Sequence, residues 1–311
     1  MITPELTTEL QHIVSPERVL QAEPLAAHCS FRTGGPADLF IRVSTEEELE
    51  KTLKLLGESG TEVFLLGRGT NLLIGDGGYR GAVVTMCAPA GSESDLDTVE
   101  ISGCSLRAGA GASLQKIAMA ARDAGLAGFE FAAGIPGSLG GAVMMNAGAY
   151  GGEMKNVVKS VRILDAATGV KQVFAGDEME FGYRTSRLKK QSGIVMSARI
   201  ELEEGDRQAI TDKITELALK RSEKQPLEFA SAGSTFKRPE GYFAGKLIQD
   251  AGLRGMSIGD AQVSEKHAGF VINRGGASAA QIRRLIEEVQ RIVLENSGIL
   301  LEREVIFLGE F

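Results

Sequence analysis

The sequence predicts an α+β chain, and the order of its elements is what predicts it. The first third alternates strand, helix, strand, tight turn and strand. The second third is rich in short strands with one or two helices among them. The last third holds a long amphipathic helix followed by a strand. Glycine-rich turns follow strands in the first two thirds: Gly67-Arg68-Gly69, Gly109-Ala110-Gly111 and the longer run Glu130–Gly152, EFAAGIPGSLGGAVMMNAGAYGG.

Taken in order, the chain opens on a polar helical lead-in to about Gln21, and Cys29–Ala37 is turn-rich. Leu39–Val43 alternates as a strand. Ser44 with Glu47 predicts a capping box for a helix with Leu49, Leu53 and Leu56 on one face, stopped by Gly57 and Gly60. Glu62–Leu66 and Gly81–Met86 read as strands, separated by the turn Gly67–Ile74. Val99–Ser102 and Leu106–Ala108 are short strands, after which Ser113 caps a helix bearing Leu114, Ile117, Ala118 and Ala121. Ser160–Asp165 and Lys171–Phe174 form a hairpin with Gly169 in its turn, and Ile194–Leu202 is a further strand. Helices are expected over Ala209–Arg221 and Phe243–Ala251, and Ala268–Ile272 is strand-like. Ser278–Asn296 places Ile282, Leu285, Ile286, Val289, Ile292 and Val293 on one face and ends at Gly298. Leu301–Leu308 is the last strand.

Composition narrows the function. The chain has 311 residues, 43% hydrophobic and 24% charged, enough for a substantial core and about two domains. A net charge of −7 argues against a nucleic-acid-binding surface. Cys29, Cys87 and Cys104 have neither disulfide-framework nor CxxC spacing, and Cys87 and Cys104 read as buried thiols in strand-like runs. No signal peptide and no membrane-length apolar run is visible, so a cytoplasmic location and no membrane partner are expected.

Glu130–Gly152 contains no Lys, Arg or His. Small residues let backbone approach a flat or phosphorylated ligand, and N–H groups in tight turns hold an anion without a basic side chain. Gly67-Arg68-Gly69 and Gly109-Ala110-Gly111 lack the third glycine of a GxGxxG fingerprint, and Gly241–Leu247 lacks P-loop spacing. No cluster has metal-ligand spacing, so no metal is expected. None of His12, His28 and His267 adjoins an obvious nucleophile, which argues against a Ser-His-Asp machine. Converging glycine turns suit a dinucleotide-like ligand.

Gly67–Ile74 (GRGTNLLI) and Gly134–Tyr150 (GIPGSLGGAVMMNAGAY) resemble the FAD-binding region of the UDP-N-acetylenolpyruvoylglucosamine reductase (UDP-N-acetylmuramate dehydrogenase) family. The resemblance continues through Tyr183–Ser186 (YRTS), Ser231–Arg238 (SAGSTFKR) and Leu301–Val305 (LEREV), in order and over nearly the whole chain. It implies a two-subdomain FAD-binding fold of the PCMH/VAO type, with subdomains at 1–88 and 89–204, followed by a C-terminal α+β substrate-binding domain at 205–311. The short segment from Arg184 to Ser234 resembles the subclass without an inserted tyrosine loop over the substrate.

The implied reaction uses NADPH and non-covalent FAD to reduce the enolpyruvyl group of a UDP-sugar to a lactyl ether, in peptidoglycan precursor synthesis. By resemblance, Gly67, Gly69, Thr70, Asn71, Leu72, Gly134, Ile135, Pro136, Gly137, Ser138, Asn146 and Gly148 hold the cofactor. Arg184 pairs with the substrate carboxylate, a task that suits a forked, permanently charged guanidinium. Ser234 is the proton donor. Glu304 is the active-site carboxylate, which beside a developing enolate needs protonation or a cationic partner. Glu302 and Glu304 share strand parity, so pattern alone does not choose between them. Lys224, Lys237 and Arg238 are expected at the diphosphate, His267 at the carboxylate, and Tyr150 and Tyr183 along the sugar pocket. A monomer is expected. The competing readings are an FAD oxidase of the same fold and a non-catalytic nucleotide-sugar-binding protein, neither of which requires the Ser234 and Glu304 motifs.

Overall fold

Short strands dominate the chain because β-branched and apolar residues recur in runs of three to eight between glycine turns. The computed structural model describes residues 2–89, 91–166, 168–191 and 193–311. The first stretch comprises α1 (Pro4–Val14), β1 (Val19–Pro24), β2 (Pro36–Arg42), α2 (Glu46–Glu58), β3 (Val63–Leu66), β4 (Leu72–Ile74) and β5 (Tyr79–Thr85). The middle comprises β6 (Val99–Ser102), β7 (Ser105–Gly109), α3 (Leu114–Asp123), β8 (Leu126–Ala127), α4 (Leu139–Met145), β9 (Gly148–Ala149), β10 (Gly152–Glu153), α5 (Met154–Val157), β11 (Val158–Leu164), β12 (Lys171–Ala175), β13 (Ile194–Glu201) and β14 (Glu203–Glu204). The last part comprises α6 (Arg207–Lys224), α7 (Ala244–Asp250), β15 (Ser257–Ile258), β16 (Ala261–Val263), β17 (Val271–Asn273), α8 (Ala279–Ser297) and β18 (Ile306–Leu308).

These elements form two compact units, each discontinuous in sequence. The first holds 1–20, 40–68 and 82–221; the second holds 21–39, 69–81 and 222–311. In the first unit, β3 runs parallel to β5. Its five-stranded sheet, in the order β12-β11-β13-β7-β6, is antiparallel throughout. Leu106, Ile117, Leu139, Val143, Val161 and Ile200 fill the core around that sheet. In the second unit, β15, β16 and β17 form an antiparallel sheet, and β18 pairs parallel with β4. The inward face of α8 buries Ile282, Leu285, Ile286, Val289 and Val293. Among the described residues, no helix is long and apolar enough to cross a membrane.

Several expectations need correction. The lead-in ends at Val14, and Val19–Pro24 is a strand; only Val19 of it is buried, so it leaves little apolar pattern. The cap of α2 is Thr45, whose hydroxyl accepts the Glu48 N–H at 3.1 Å, rather than Ser44 with Glu47. Gly57 lies inside that helix. Cys87 follows β5 and Cys104 lies between β6 and β7; both are half-buried. The strand near 268 is Val271–Asn273. Leu301–Val305 lies outside the ladder, which begins at Ile306, so Glu302 and Glu304 are not on one continuous strand.

Candidate active site

In the first unit, β3 ends directly at Gly67. A Cβ placed there would stand 2.7 Å from Ser138 Oγ, so a side chain at this position would require the Ser138 hydroxyl to turn away. Gly137–Gly140 is stitched to the turn after β7. Leu114 N–H donates to the Gly137 carbonyl at 3.0 Å, Leu139 N–H to Ala112 at 2.8 Å and Gly140 N–H to Ala110 at 2.9 Å. The turns at Gly67, at Gly109–Gly111 and at Gly134–Ser138 therefore form one structure. Gly134 and Pro136 are exposed and Ile135 and Gly137 half-buried, so backbone lines an open turn. Burial pushes the neighbouring Cys87 thiol above its ordinary range, despite the Thr85 and Ser138 hydroxyls and Arg68 nearby.

The stretch read as a loop contains α4, which Asn146 closes in a left-handed conformation. Asn146 is buried, and its side chain is engaged within the unit. Its amide donates to Glu153 Oε2 at 2.7 Å and to the Gly182 carbonyl at 3.0 Å, while its Oδ1 accepts the Lys155 N–H at 2.9 Å. Gly148, in β9, pairs with Glu153 of β10. The Gly182 bond ties α4 to the turn Gly182–Thr185, closed by backbone bonds of 3.1 and 3.3 Å. Arg184 occupies that turn at φ 53°, its guanidinium 5.2 Å from the centre of the Tyr183 ring. Ser186 Oγ donates to the Met144 carbonyl at 2.8 Å, a second tie to α4. Tyr150 and Tyr183 are exposed.

Arg221 escaped the sequence reading. It donates through Nη1 to the Gly134 carbonyl at the start of the glycine run, and burial depresses its pKa while nearby Tyr150 opposes the shift. Its signal was positional: Leu217 and Arg221 are four residues apart, which extends the inward stripe of α6 by one turn.

In the second unit, Gly69 has φ 61°, and a Cβ there would lie 2.0 Å from the His28 carbonyl oxygen. Thr70 is half-buried and Leu72 is buried in β4. Asn71 Nδ2 donates to the Glu304 carbonyl at 3.0 Å, and the Ile306 N–H donates to the Asn71 carbonyl at 3.0 Å. The expected cofactor turn and the expected carboxylate are thus joined.

Thr235 joins the other parts. Its N–H donates to Gly269 at 2.9 Å, its Oγ1 accepts the Val271 N–H at 2.9 Å, and its carbonyl accepts the Glu304 N–H at 2.9 Å. The preceding residue, Ser234, is exposed and Glu304 is half-buried, so one threonine sets Ser234 beside the Glu304 backbone. The run continues as an extended pair, with a bridge between Phe236 and Arg303 and a 2.8 Å bond from Lys237 N–H to the Glu302 carbonyl. Lys237 also forms an ion pair with Glu302. His267 accepts the Gly269 N–H at Nδ1, 3.1 Å away, and meets Phe270 edge-on at 4.9 Å. Burial lowers its pKa below 6.5; a backbone hydrogen bond opposes this and Arg254 adds to it. Arg238 stacks on Phe243, and Lys224 is exposed at the end of α6. Arg184 belongs to the first unit, and Ser234 and Glu304 to the second.

Residues 225–308 match the family described as UDP-N-acetylenolpyruvoylglucosamine reductase, C-terminal domain, and residues 37–173 match an FAD binding domain family. The UDP-N-acetylenolpyruvoylglucosamine reductase of Clostridioides difficile (strain 630) is 48% identical over 306 residues, which is 98% of each chain. This chain belongs to the UDP-N-acetylenolpyruvoylglucosamine reductase family. The crystal structure of the reductase of that name from Thermus caldophilus has a TM-score of 0.79 and 33% identity, covering 94% of this chain and 98% of its own. An alkyldihydroxyacetonephosphate synthase structure matches at TM-score 0.50 and 13% identity, covering 66% of this chain and 41% of its own, which is a likeness of fold alone. The reductase family's α+β architecture, an FAD-binding fold of PCMH/VAO type followed by a C-terminal domain, is therefore that of this chain.

Proposed function

We propose that the protein reduces the enolpyruvyl group of UDP-N-acetylenolpyruvoylglucosamine to the lactyl ether with electrons from NADPH, a step in peptidoglycan precursor synthesis. The observation that carries the reading is the Thr235 rivet, which sets Ser234 beside Glu304 in a chain 48% identical to a reductase of that name. The glycine-rich turns fit a dinucleotide cofactor: a Cβ at Gly67 would crowd the Ser138 hydroxyl and one at Gly69 the His28 carbonyl, so both turns present bare backbone. Gly67, Gly69, Thr70, Asn71, Leu72, Gly134, Ile135, Pro136, Gly137 and Ser138 would hold FAD. Asn146 and Gly148 shape the turns; the Asn146 amide is already engaged within the chain. Bound FAD would supply the two-electron chemistry that links NADPH to the methylene carbon of the enolpyruvyl group.

Hydride addition there leaves negative charge on the carbon that bears the carboxylate. Arg184 pairs with that carboxylate and stabilises the charge as it spreads onto the oxygens. The Ser234 hydroxyl protonates the carbon and recovers its proton from water. Glu304 holds the same end of the substrate. His267, kept neutral by burial, offers an Nε2–H to the carboxylate, since its Nδ1 accepts the Gly269 N–H. Tyr150 and Tyr183 line the sugar, and Lys224, Lys237 and Arg238 face the diphosphate. Both nucleotide substrates are charged and membrane-impermeant, so the working location is the cytoplasm, with a monomer as the catalytic unit.

The test is an anaerobic two-step experiment. NADPH should bleach the flavin absorbance, and the enolpyruvyl UDP-sugar should restore it. Bleaching without substrate-driven reoxidation would refute the reading, and rapid reoxidation by oxygen with an alcohol or hydroxy acid as reductant would favour the oxidase.

A further inference from the structure

We propose that Asn146 and Ser186 are positioning residues that clamp the Arg184 turn to the end of α4; this rests on the function proposed above, which gives Arg184 the substrate carboxylate. The turn is one that needs holding. Gly182 and Thr185 exchange backbone bonds of 3.1 and 3.3 Å, which leaves Tyr183 and Arg184 as its two corner residues. Arg184 sits there at φ 53°, a left-handed conformation that glycine or asparagine adopts with less strain than arginine. Such a conformation persists only where the surroundings over-determine it. The corner does not supply that hold itself, because the Tyr183 side chain on which the guanidinium rests is exposed.

Both shoulders of the turn are fixed from one place. On one side the Gly182 carbonyl, which already takes the Thr185 N–H, also accepts Asn146 Nδ2 at 3.0 Å. On the other, Ser186 is 1% exposed and donates its hydroxyl to the Met144 carbonyl at 2.8 Å. Met144 lies in the last turn of α4, and Asn146 is its cap. The Asn146 amide has no freedom to turn elsewhere. Its Oδ1 accepts the Lys155 N–H at 2.9 Å, and Nδ2 also donates to Glu153 Oε2 at 2.7 Å. Both amide hydrogens are thus used inside the protein, and they act on the site through Gly182. At its other end α4 is bonded into the glycine turns by the Leu139 and Gly140 N–H groups. At about 1.5 Å per residue its seven residues make a bar about 10 Å long, running from the Gly134–Ser138 turn to the Arg184 turn. A guanidinium that meets a carboxylate through two parallel bonds tolerates little displacement, so the groups that fix its backbone decide how much of the pairing is realised.

The probes are UDP-N-acetylenolpyruvoylglucosamine and UDP-N-acetylglucosamine, which lacks the carboxylate. Each is titrated calorimetrically into oxidised enzyme in excess FAD, and the ratio of the two Kd values reads the carboxylate contact. The variants are Ser186→Ala, Ser186→Thr, Asn146→Gly, which keeps the left-handed cap, and Arg184→Met as the reference, with melting temperatures checked alongside. Arg184→Met should lower the preference for the enolpyruvyl compound about tenfold, and Ser186→Ala and Asn146→Gly about fivefold. Ser186→Thr keeps the hydroxyl and should stay near wild type. The UDP-N-acetylglucosamine Kd should remain within about twofold throughout. Flavin reduced with dithionite, so that NADPH takes no part, should be reoxidised by the enolpyruvyl compound about tenfold more slowly in Ser186→Ala and Asn146→Gly. A general loosening would weaken both compounds alike and leave the ratio intact, and that result would overturn the inference. So would equal loss in Ser186→Thr and Ser186→Ala, or a wild-type ratio in both Ser186→Ala and Asn146→Gly while Arg184→Met lowers it. A ratio unmoved by Arg184→Met would instead overturn the role that the functional reading gives Arg184.

Discussion

Replacing Thr235 by valine tests the centre of the site with almost no change of shape. Thr235 has no exposed surface, and its Oγ1 is the acceptor for the Val271 N–H at 2.9 Å, in a residue itself 2% exposed. Valine keeps the volume and removes the acceptor, so a buried amide is left unsatisfied at a cost of about 1–3 kcal/mol. Serine at the same position keeps the acceptor and deletes one methyl group, a loss of about 1 kcal/mol. Global stability should therefore fall comparably in both, seen as lower urea midpoints. The site should separate them. In Thr235→Val the Val271 amide no longer anchors the residue after Ser234, so reoxidation of the flavin by the enolpyruvyl sugar nucleotide should slow about tenfold, equivalent to about 1.4 kcal/mol. Thr235→Ser should stay near wild type, and NADPH-driven bleaching should remain within about twofold in both, measured by anaerobic stopped flow. Equal slowing in the two variants would refute the argued role of the hydroxyl, and so would an unchanged urea midpoint in Thr235→Val.

Further outcomes follow from the same geometry. Ser234→Ala should keep NADPH bleaching and lose most substrate-driven reoxidation; equal loss of both steps in stopped flow would remove Ser234 from proton transfer. Gly69→Ala places a Cβ 2.0 Å from the His28 oxygen at φ 61°, a conformation that costs an L residue about 1–2 kcal/mol before any clash. It should purify with less than one flavin per chain and melt earlier, and a full complement of flavin at an unchanged melting temperature would contradict the cradle. The folded pKa of His267 is lowered by burial from an ordinary 6.5, so the unfolded chain takes up the proton first as the solution is acidified. Its contribution to stability is complete above about pH 6.5 and is lost as pH falls through the lower folded value. Melting temperatures between pH 8 and 5 should therefore decline less steeply in His267→Gln than in wild type; identical slopes would exclude His267 as the source.

Much of the fold was legible because its signals are local. Ser113 caps α3 as expected, and Gly298 ends α8 in a left-handed conformation as expected. The hairpin of β11 and β12 follows from alternation around Gly169. The start of α2 was misread by one residue, and the reason is a distant partner. Ser44-Thr45 precedes three consecutive glutamates, so the spacing rule fits both Ser44 with Glu47 and Thr45 with Glu48. Arg18 decides between them: its guanidinium holds Glu48 at 2.7 and 2.8 Å, and the same carboxylate takes the Ser44 N–H at 2.7 Å. An ion pair across thirty positions leaves no mark in a local pattern. Leu301–Val305 fails as a strand for a related reason, because Glu304 N–H bonds Thr235 and its carbonyl takes the Asn71 amide in place of a regular ladder.

The site divides along the same line. Residues proposed to touch cofactor or substrate sit in contiguous runs, such as Gly134–Ser138 or Ser231–Arg238, and are expected there because those runs resemble the family's motifs. Residues that hold those runs were overlooked or given another role. Arg221 reaches a carbonyl 87 positions away, Asn71 one 233 positions away, and Thr235 accepts an amide 36 positions on. Each bond has backbone as one partner, and a backbone group is the same whatever residue bears it, so the sequence names only half of the contact. Such holding residues should show themselves in mutants as Thr235 is argued to do: stability and one half-reaction move together, and a conservative variant that keeps the polar atom restores the chemistry without restoring all of the stability.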